Sequence, residues 1–218
     1  MAIELKKYKT ICFDCDGVIL NSNAIKANVF YEAALPYGEV LAQALRRYHV
    51  LNGGISRYQK FDYFLKELVS QNMSGPGLKE LLEKFGDLVR EGLLKCEIAM
   101  GLYELKEKNR LSNWCVVSGG DQKELRDIFQ TRGLSSLFDV GIFGSPETKE
   151  EILEHLIHIN FLKNPALFLG DSLYDHVVAK KFGLDFIFVS DWTEFSDHKQ
   201  YCENNNIPVI RNLNQLAS

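Results

Sequence analysis

The chain is poor in cysteine and proline, with five of each in 218 residues. The cysteines are odd in number and scattered, which argues against a disulfide framework. Cys12 and Cys15 form a lone CxxC inside an apolar run, with no second Cys or His pair at metal spacing, so buried free thiols are the better reading. No apolar stretch approaches the ~18 residues of a membrane span. The opening MAIELKKYKTICF has no apolar leader core, so a cytoplasmic protein without membrane contact is expected. Positive charge is not in excess either. The net charge is −4, which argues against a nucleic-acid surface. An anionic ligand would then need local cations or a metal. Repeats and low-complexity segments are absent.

What remains is a chain with the composition of a cored globular protein, 46% hydrophobic. Short runs rich in Ile, Val and Phe at 10–13, 113–117, 140–143, 166–169, 186–189 and 207–210 read as buried strands. Helical periodicity fills 123–132, 149–159 and 174–182 between them. That alternation predicts βαβ units and a parallel sheet covered on both faces. Residues 21–95 differ, because no strand pattern is present. Amphipathic periods at 24–35, 40–48, 59–69 and 78–94 predict helices, broken near Pro36-Tyr37-Gly38, Asn52-Gly53-Gly54 and Ser74-Gly75-Pro76-Gly77. The expected organisation is an α/β core of residues 1–20 and 96–218, interrupted by an all-helical cap of residues 21–95.

The chemistry concentrates where strands end, which is where open α/β sheets bind ligands. In FDCDGVI, Asp14 and Asp16 stand two apart in an extended segment, so both carboxylates face one side. Like charges that close repel, and a divalent cation with oxygen ligands removes the conflict. A strand-ending Asp turn is the plain alternative. In LFLGDSLYD a second acidic pair, Asp171 and Asp175, shares a helical face after another strand. Ser118 and Gly119 follow the run 113–117 and predict an anion site at a helix N-terminus, or an ordinary N-cap. In GSPETK, Lys149 starts a helix, where a cation opposes the dipole. A phosphate oxygen would justify it, as would an exposed salt bridge to Glu150 or Glu151.

Taken together and in this order, FDCDGVI, VVSGG, Lys149 and GDSLYD resemble the four motifs of the haloacid dehalogenase superfamily. The helical insert resembles the cap of its beta-phosphoglucomutase-like and phosphoglycolate phosphatase-like branch. The resemblance implies a Rossmann-like core and a Mg²⁺-dependent phosphatase acting on a small phosphorylated metabolite such as a phosphosugar. Asp14 would be the nucleophile that forms an aspartyl-phosphate. Asp16 would be the general acid and then base, with its pKa raised by the closed site. Mg²⁺ would be held by Asp14, the carbonyl of Asp16 and Asp171, with Asp175 orienting the shell. Ser118 and the N–H of Gly119 would hold phosphoryl oxygens, and Lys149 would neutralise Asp14 and the phosphate, with Lys163 as the fallback lysine. LNGGISR resembles the cap stretch whose arginine meets substrate, which makes Arg57 a candidate contact and Lys60 a weaker one. His49 lies beside the same loop. The mutase histidine twelve residues after the nucleophile corresponds to Lys26, which favours hydrolysis over a phosphomutase or a non-catalytic phosphate binder. A phospho-accepting receiver domain also clusters Asp and Lys on a parallel sheet, but it is shorter and lacks the insert. The expected assembly is a monomer or homodimer.

Overall fold

The computed structural model describes residues 5–217. Six strands make one parallel sheet: β1 (Thr10–Phe13), β2 (Asn113–Asp121), β3 (Gly141–Ser145), β4 (Ala166–Gly170), β5 (Asp185–Val189) and β6 (Val209–Ile210). Their spatial order is β3-β2-β1-β4-β5-β6, with every neighbouring pair parallel. Helices α1 (Asn23–Ala34), α2 (Glu39–Leu51), α3 (Arg57–Tyr63) and α4 (Leu78–Lys95) lie between β1 and β2, and α5 (Leu102–Lys108) leads into β2. Then α6 (Gln122–Thr131), α7 (Lys149–His158), α8 (Leu173–Lys181), α9 (His198–Asn204) and α10 (Asn214–Ala217) alternate with the remaining strands. This is a Rossmann-like α/β core. No helix among the described residues is long and apolar enough to cross a membrane.

The strands are apolar on both sides because both faces are covered. Ile11, Phe13, Trp114, Val116, Leu167 and Leu169 join one buried cluster with α5, α6 and the helical segment. Cys12, Cys115, Val117, Phe168 and Phe188 join the other with α7 and α8. The CxxC pair is thereby split, with Cys15 in the first cluster and Cys12 in the second. All five thiols are free. Trp114 packs on Phe13 with ring centroids 4.6 Å apart, as a core residue.

Within the helical segment, α4 buries Leu81, Phe85, Val89 and Leu93, every fourth residue on one stripe. Phe85 meets Phe30 of α1 and Phe61 of α3. The helix expected over 59–69 divides: α3 ends at Tyr63 and a single π-helical turn, Phe64–Leu68, follows. The chain leaves and re-enters the core along a paired crossing. Leu20 bridges Ile98 antiparallel, Asn21 N–H donates to Glu97 O at 3.0 Å, and Ala99 N–H donates to Ile19 O at 2.9 Å.

The loop 52–55 lies over the carboxyl ends of the strands. The Tyr58 hydroxyl donates to Asp121 at 2.7 Å, and Arg57 pairs with Glu124 at 2.8 Å, so α3 is tied to the turn from β2 into α6. Gly119 makes this approach possible: a Cβ there would lie 2.2 Å from the carbonyl oxygen of Gly54. Backbone cannot yield as a side-chain tip does, so Gly119→Ala is expected to lift the loop and destabilise the protein by about 1–3 kcal/mol, the usual cost of overpacking. Denaturant unfolding with parallel limited proteolysis measures both effects, and unchanged stability would disprove the closeness of this contact.

Candidate active site

The sheet order reverses direction at β1, whose neighbours are β2 on one side and β4 on the other. Such a switch point opens a crevice at the carboxyl ends of the strands. Asp14 follows β1 and Asp171 follows β4, and Asp14 N–H still donates to Leu169 O at 2.9 Å, so the two carboxylates emerge side by side. Gly17 turns the chain away with φ +78°. A Cβ there would meet the Asp171 carboxylate at 2.1 Å, so only glycine leaves room for it.

Asp175 comes from the first turn of α8. Its Oδ2 accepts from the backbone N–H of Ser172 at 3.1 Å and from the Ser172 hydroxyl at 2.6 Å, a reciprocal cap of the helix start. Its Oδ1 accepts from Lys149 Nζ at 2.5 Å, and Lys149 lies 2.9 Å from Asp14 Oδ1. Lys149 is thus 1% exposed, and its reason for starting α7 is a buried pair of carboxylates rather than Glu150 or Glu151. Thr148 and Glu151 supply the capping box that the helix start needs. Lys163 is exposed at the opposite end of the sheet, where its backbone bonds Thr10.

The electrostatics follow from crowding. Burial pushes the Asp14 pKa up to about 7, with Lys149 opposing and Asp175 and Asp16 adding to the rise. Burial, with Asp14 and Asp175 beside it, pushes Asp171 well above the carboxylate range. Lys149 rises: burial lowers it, but the attraction of Asp14 and Asp175 outweighs that. Asp14, Asp171 and Asp175 bring oxygens within 4.8 Å of one another, all buried. An all-oxygen set in which Asp14 and Asp171 are both pushed up by burial fits a hard divalent cation. Asp14 and Asp171 have lone pairs to spare for it, whereas both oxygens of Asp175 are already engaged, which suits an orienting role.

Asp16 behaves otherwise than expected. Burial would raise its pKa, but Lys26 at 2.5 Å and the Ser22 hydroxyl at 2.6 Å outweigh burial and lower it. Asp16 is therefore held as a carboxylate in this state. Lys26 stood out in the sequence only as a departure from a histidine, and here it is the counter-ion. Asn23, one turn earlier on α1, donates to Asp171 at 2.7 Å and to Trp192 O at 3.0 Å, and sequence reasoning missed it. The spacing of Asn23 and Lys26, at i and i+3 straight after an acidic strand end, was the available signal.

Ser118 and Gly119 do not begin a helix. β2 stays extended to Asp121, whose carboxylate caps α6 by accepting from Glu124 N–H at 2.9 Å. Ser118 is fully buried and its hydroxyl accepts from Gly120 N–H at 3.0 Å, while Gly119 reaches the cavity wall. That cavity, of about 280 Å³, runs from Asp14, Asp16 and Asp171 to the helical segment, where Arg57, Lys60, His49, Phe30 and Phe85 line it. Arg57 sits over Phe85 and on Glu124, so it borders the cavity already paired. His176 turns away to the Tyr201 hydroxyl at 2.7 Å.

Among proteins of curated function, none matches the chain. Solved structures do. A Lactobacillus plantarum protein designated a phosphoglycolate phosphatase is 18% identical with TM-score 0.70, covering 94% of this chain and 96% of its own. A haloacid dehalogenase-like family hydrolase from Streptococcus pneumoniae is 17% identical with TM-score 0.69, covering 98% and 99%. The beta-phosphoglucomutase of Clostridium difficile is 18% identical with TM-score 0.70, covering 96% and 93%. At such identities the likeness speaks for the fold. The family model of haloacid dehalogenase-like hydrolases matches residues 11–189, a stretch that holds every carboxylate and lysine of the acidic cleft. The chain belongs to the haloacid dehalogenase-like hydrolases.

Proposed function

We propose that the protein is a Mg²⁺-dependent phosphatase of small phosphomonoesters, phosphosugars among them, working through an aspartyl-phosphate. The observation that carries this reading is the meeting of Asp14, Asp171 and Asp175 around the buried amine of Lys149. Phosphoryl transfer asks mainly for positioning and charge neutralisation, and this cluster offers both. Asp14 and Asp171, with the Asp16 carbonyl, would hold Mg²⁺, which supplies charge neutralisation between carboxylate and phosphate. Asp14 Oδ attacks phosphorus and the alcohol leaves. Lys149 offsets the charge gathered on Asp14. Gly119, at the cavity wall, would turn its N–H to phosphoryl oxygens at the end of β2, with the buried Ser118 hydroxyl directly behind it.

Asp16 gives a proton to the leaving oxygen and later takes one from water. Its pairing with Lys26 favours the second duty, while an anionic phosphoryl group brought beside it raises its proton affinity for the first. The helical segment acts as a cap that excludes water and shapes the cavity for the alcohol, with Arg57 at its wall. Hydrolysis is favoured over phosphoryl exchange between hydroxyls because Lys26 secures Asp16 where a base for water is needed.

Phosphate release from an aryl phosphate and from a panel of sugar phosphates tests the reading. Activity is expected with Mg²⁺, lost on chelation and lost by more than ~10³-fold in Asp14→Asn, since removing a nucleophile removes the two-step route. Undiminished turnover by Asp14→Asn would sink the assignment, and isomerised product without free phosphate would point to a mutase.

Mg²⁺ binding should also depend on pH in a set direction. Without metal, the raised Asp14 stabilises the fold at low pH, a contribution lost as pH rises through about 7, and the raised Asp171 acts in the same direction. Metal requires both to be ionised, so protons compete with it. The gain in thermal midpoint on adding Mg²⁺ is expected to be small at pH 5.5 and to grow through pH 7 to 8. A gain independent of pH would contradict this ligand set.

A further inference from the structure

The cap end of the cavity holds a charge imbalance. Three cations line the cavity: Lys26, Arg57 and Lys60. Lys26 has Asp16 and Arg57 has Glu124. Lys60 is 1% exposed, and among the described residues no carboxylate is within ion-pair reach of its Nζ. Its hydrogen-bond partner is His49 Nδ1 at 2.7 Å, and the Phe30 ring lies 5.5 Å away. His49 is itself 8% exposed, and its buried Nε2 has no partner. Burial, with Lys60 and Lys26 nearby, keeps His49 neutral. When Lys60 donates to Nδ1, the ring proton must sit on Nε2. The pair then offers the spare N–H groups of Lys60 and the Nε2–H of His49: buried donors with no protein acceptor, at the wall of the cavity. A buried cation and donor left in this condition cost stability unless a ligand completes them.

We propose that Lys60 and His49 form an anion-accepting subsite, so that the preferred substrates are phosphomonoesters whose alcohol carries a second anionic group, carboxylate or phosphate. The inference rests on the phosphatase reading for which end of the ligand meets Asp14. It differs from it in placing selectivity on Lys60 and His49 rather than on Arg57, whose charge Glu124 already meets. Every charged group facing Lys60 bears on its protonation. Burial, Lys26 of α1 and Lys149 of α7 lower the pKa to about 7, against Asp16 after β1 and Glu194 after β5. The Glu194 carboxyl is pushed up by burial and held back by Lys60 and Arg46. A second anion keeps Lys60 protonated, so binding above pH 7 takes up a proton.

Non-hydrolysable probes separate the two readings. Calorimetry of the Mg²⁺-loaded protein would compare methylphosphonate with phosphonoacetate, which adds one carboxylate, and with 1,3-propanebisphosphonate, which adds a second phosphonate. Either dianionic arm is expected to bind ~10-fold or more tighter than methylphosphonate, and the stronger arm identifies the group. The advantage should fall by about tenfold per pH unit above about 7. In Lys60→Met the advantage is expected to vanish while the thermal midpoint without ligand rises, because an uncompensated buried charge is gone. Lys60→Arg, which keeps the charge, should retain part of it. Equal binding of all three probes by the wild-type protein overturns the inference and needs no variant. Absence of phosphate release from an aryl phosphate overturns the phosphatase reading and leaves the binding comparison standing on its own.

Discussion

One buried amine holds the site together. Lys149 sits between Asp14 and Asp175, all three side chains buried, and each carboxylate belongs to a different part of the sheet edge. Without that cation, three acids would share one dry crevice, and the strand ends after β1 and β4 would repel one another. With it, burial and the neighbouring acids still push the Asp14 and Asp171 carboxyls up. That crowding of acids is what makes the crevice suited to a metal. The same crowding defines what can fill the cleft.

The helical segment contributes charge as well as cover. Lys26 is its nearest cation to the strand ends and fixes the state of Asp16. Arg57 and Tyr58 fasten α3 to the core through Glu124 and Asp121. Lys60 lies deeper along the cavity. The cavity therefore passes from acids, through a paired lysine, to an unpaired one. With a divalent cation held among the acids, a ligand with anions at both ends and a neutral middle would match that sequence of charges.

The sheet and the acidic strand ends were legible in the sequence because they rest on short-range rules. Two-residue spacing placed Asp14 and Asp16 on one side, and the conflict of Lys149 with its own helix dipole marked it as bound elsewhere. Ser118 misled because SGG looks like a helix start, yet the true cap is Asp121, whose carboxylate competes better for the free N–H groups. The lowered pKa of Asp16 could not be read off, since it depends on how α1 packs over β1 and brings Lys26 to 2.5 Å. The partnership of Lys60 with His49 joins two helices across the insert, and no local pattern encodes that approach.

The paired crossing at residues 19–21 and 97–99 makes the helical segment a closed excursion from the core, its entry and exit tied to each other by a bridge and two backbone hydrogen bonds. Asn23 and Lys26 follow directly on the entry and reach Asp171 and Asp16. Arg57 and Tyr58, farther along, return to the core through Glu124 and Asp121. The excursion is thus moored at its neck and again at mid-length, and residues near both moorings line the cavity.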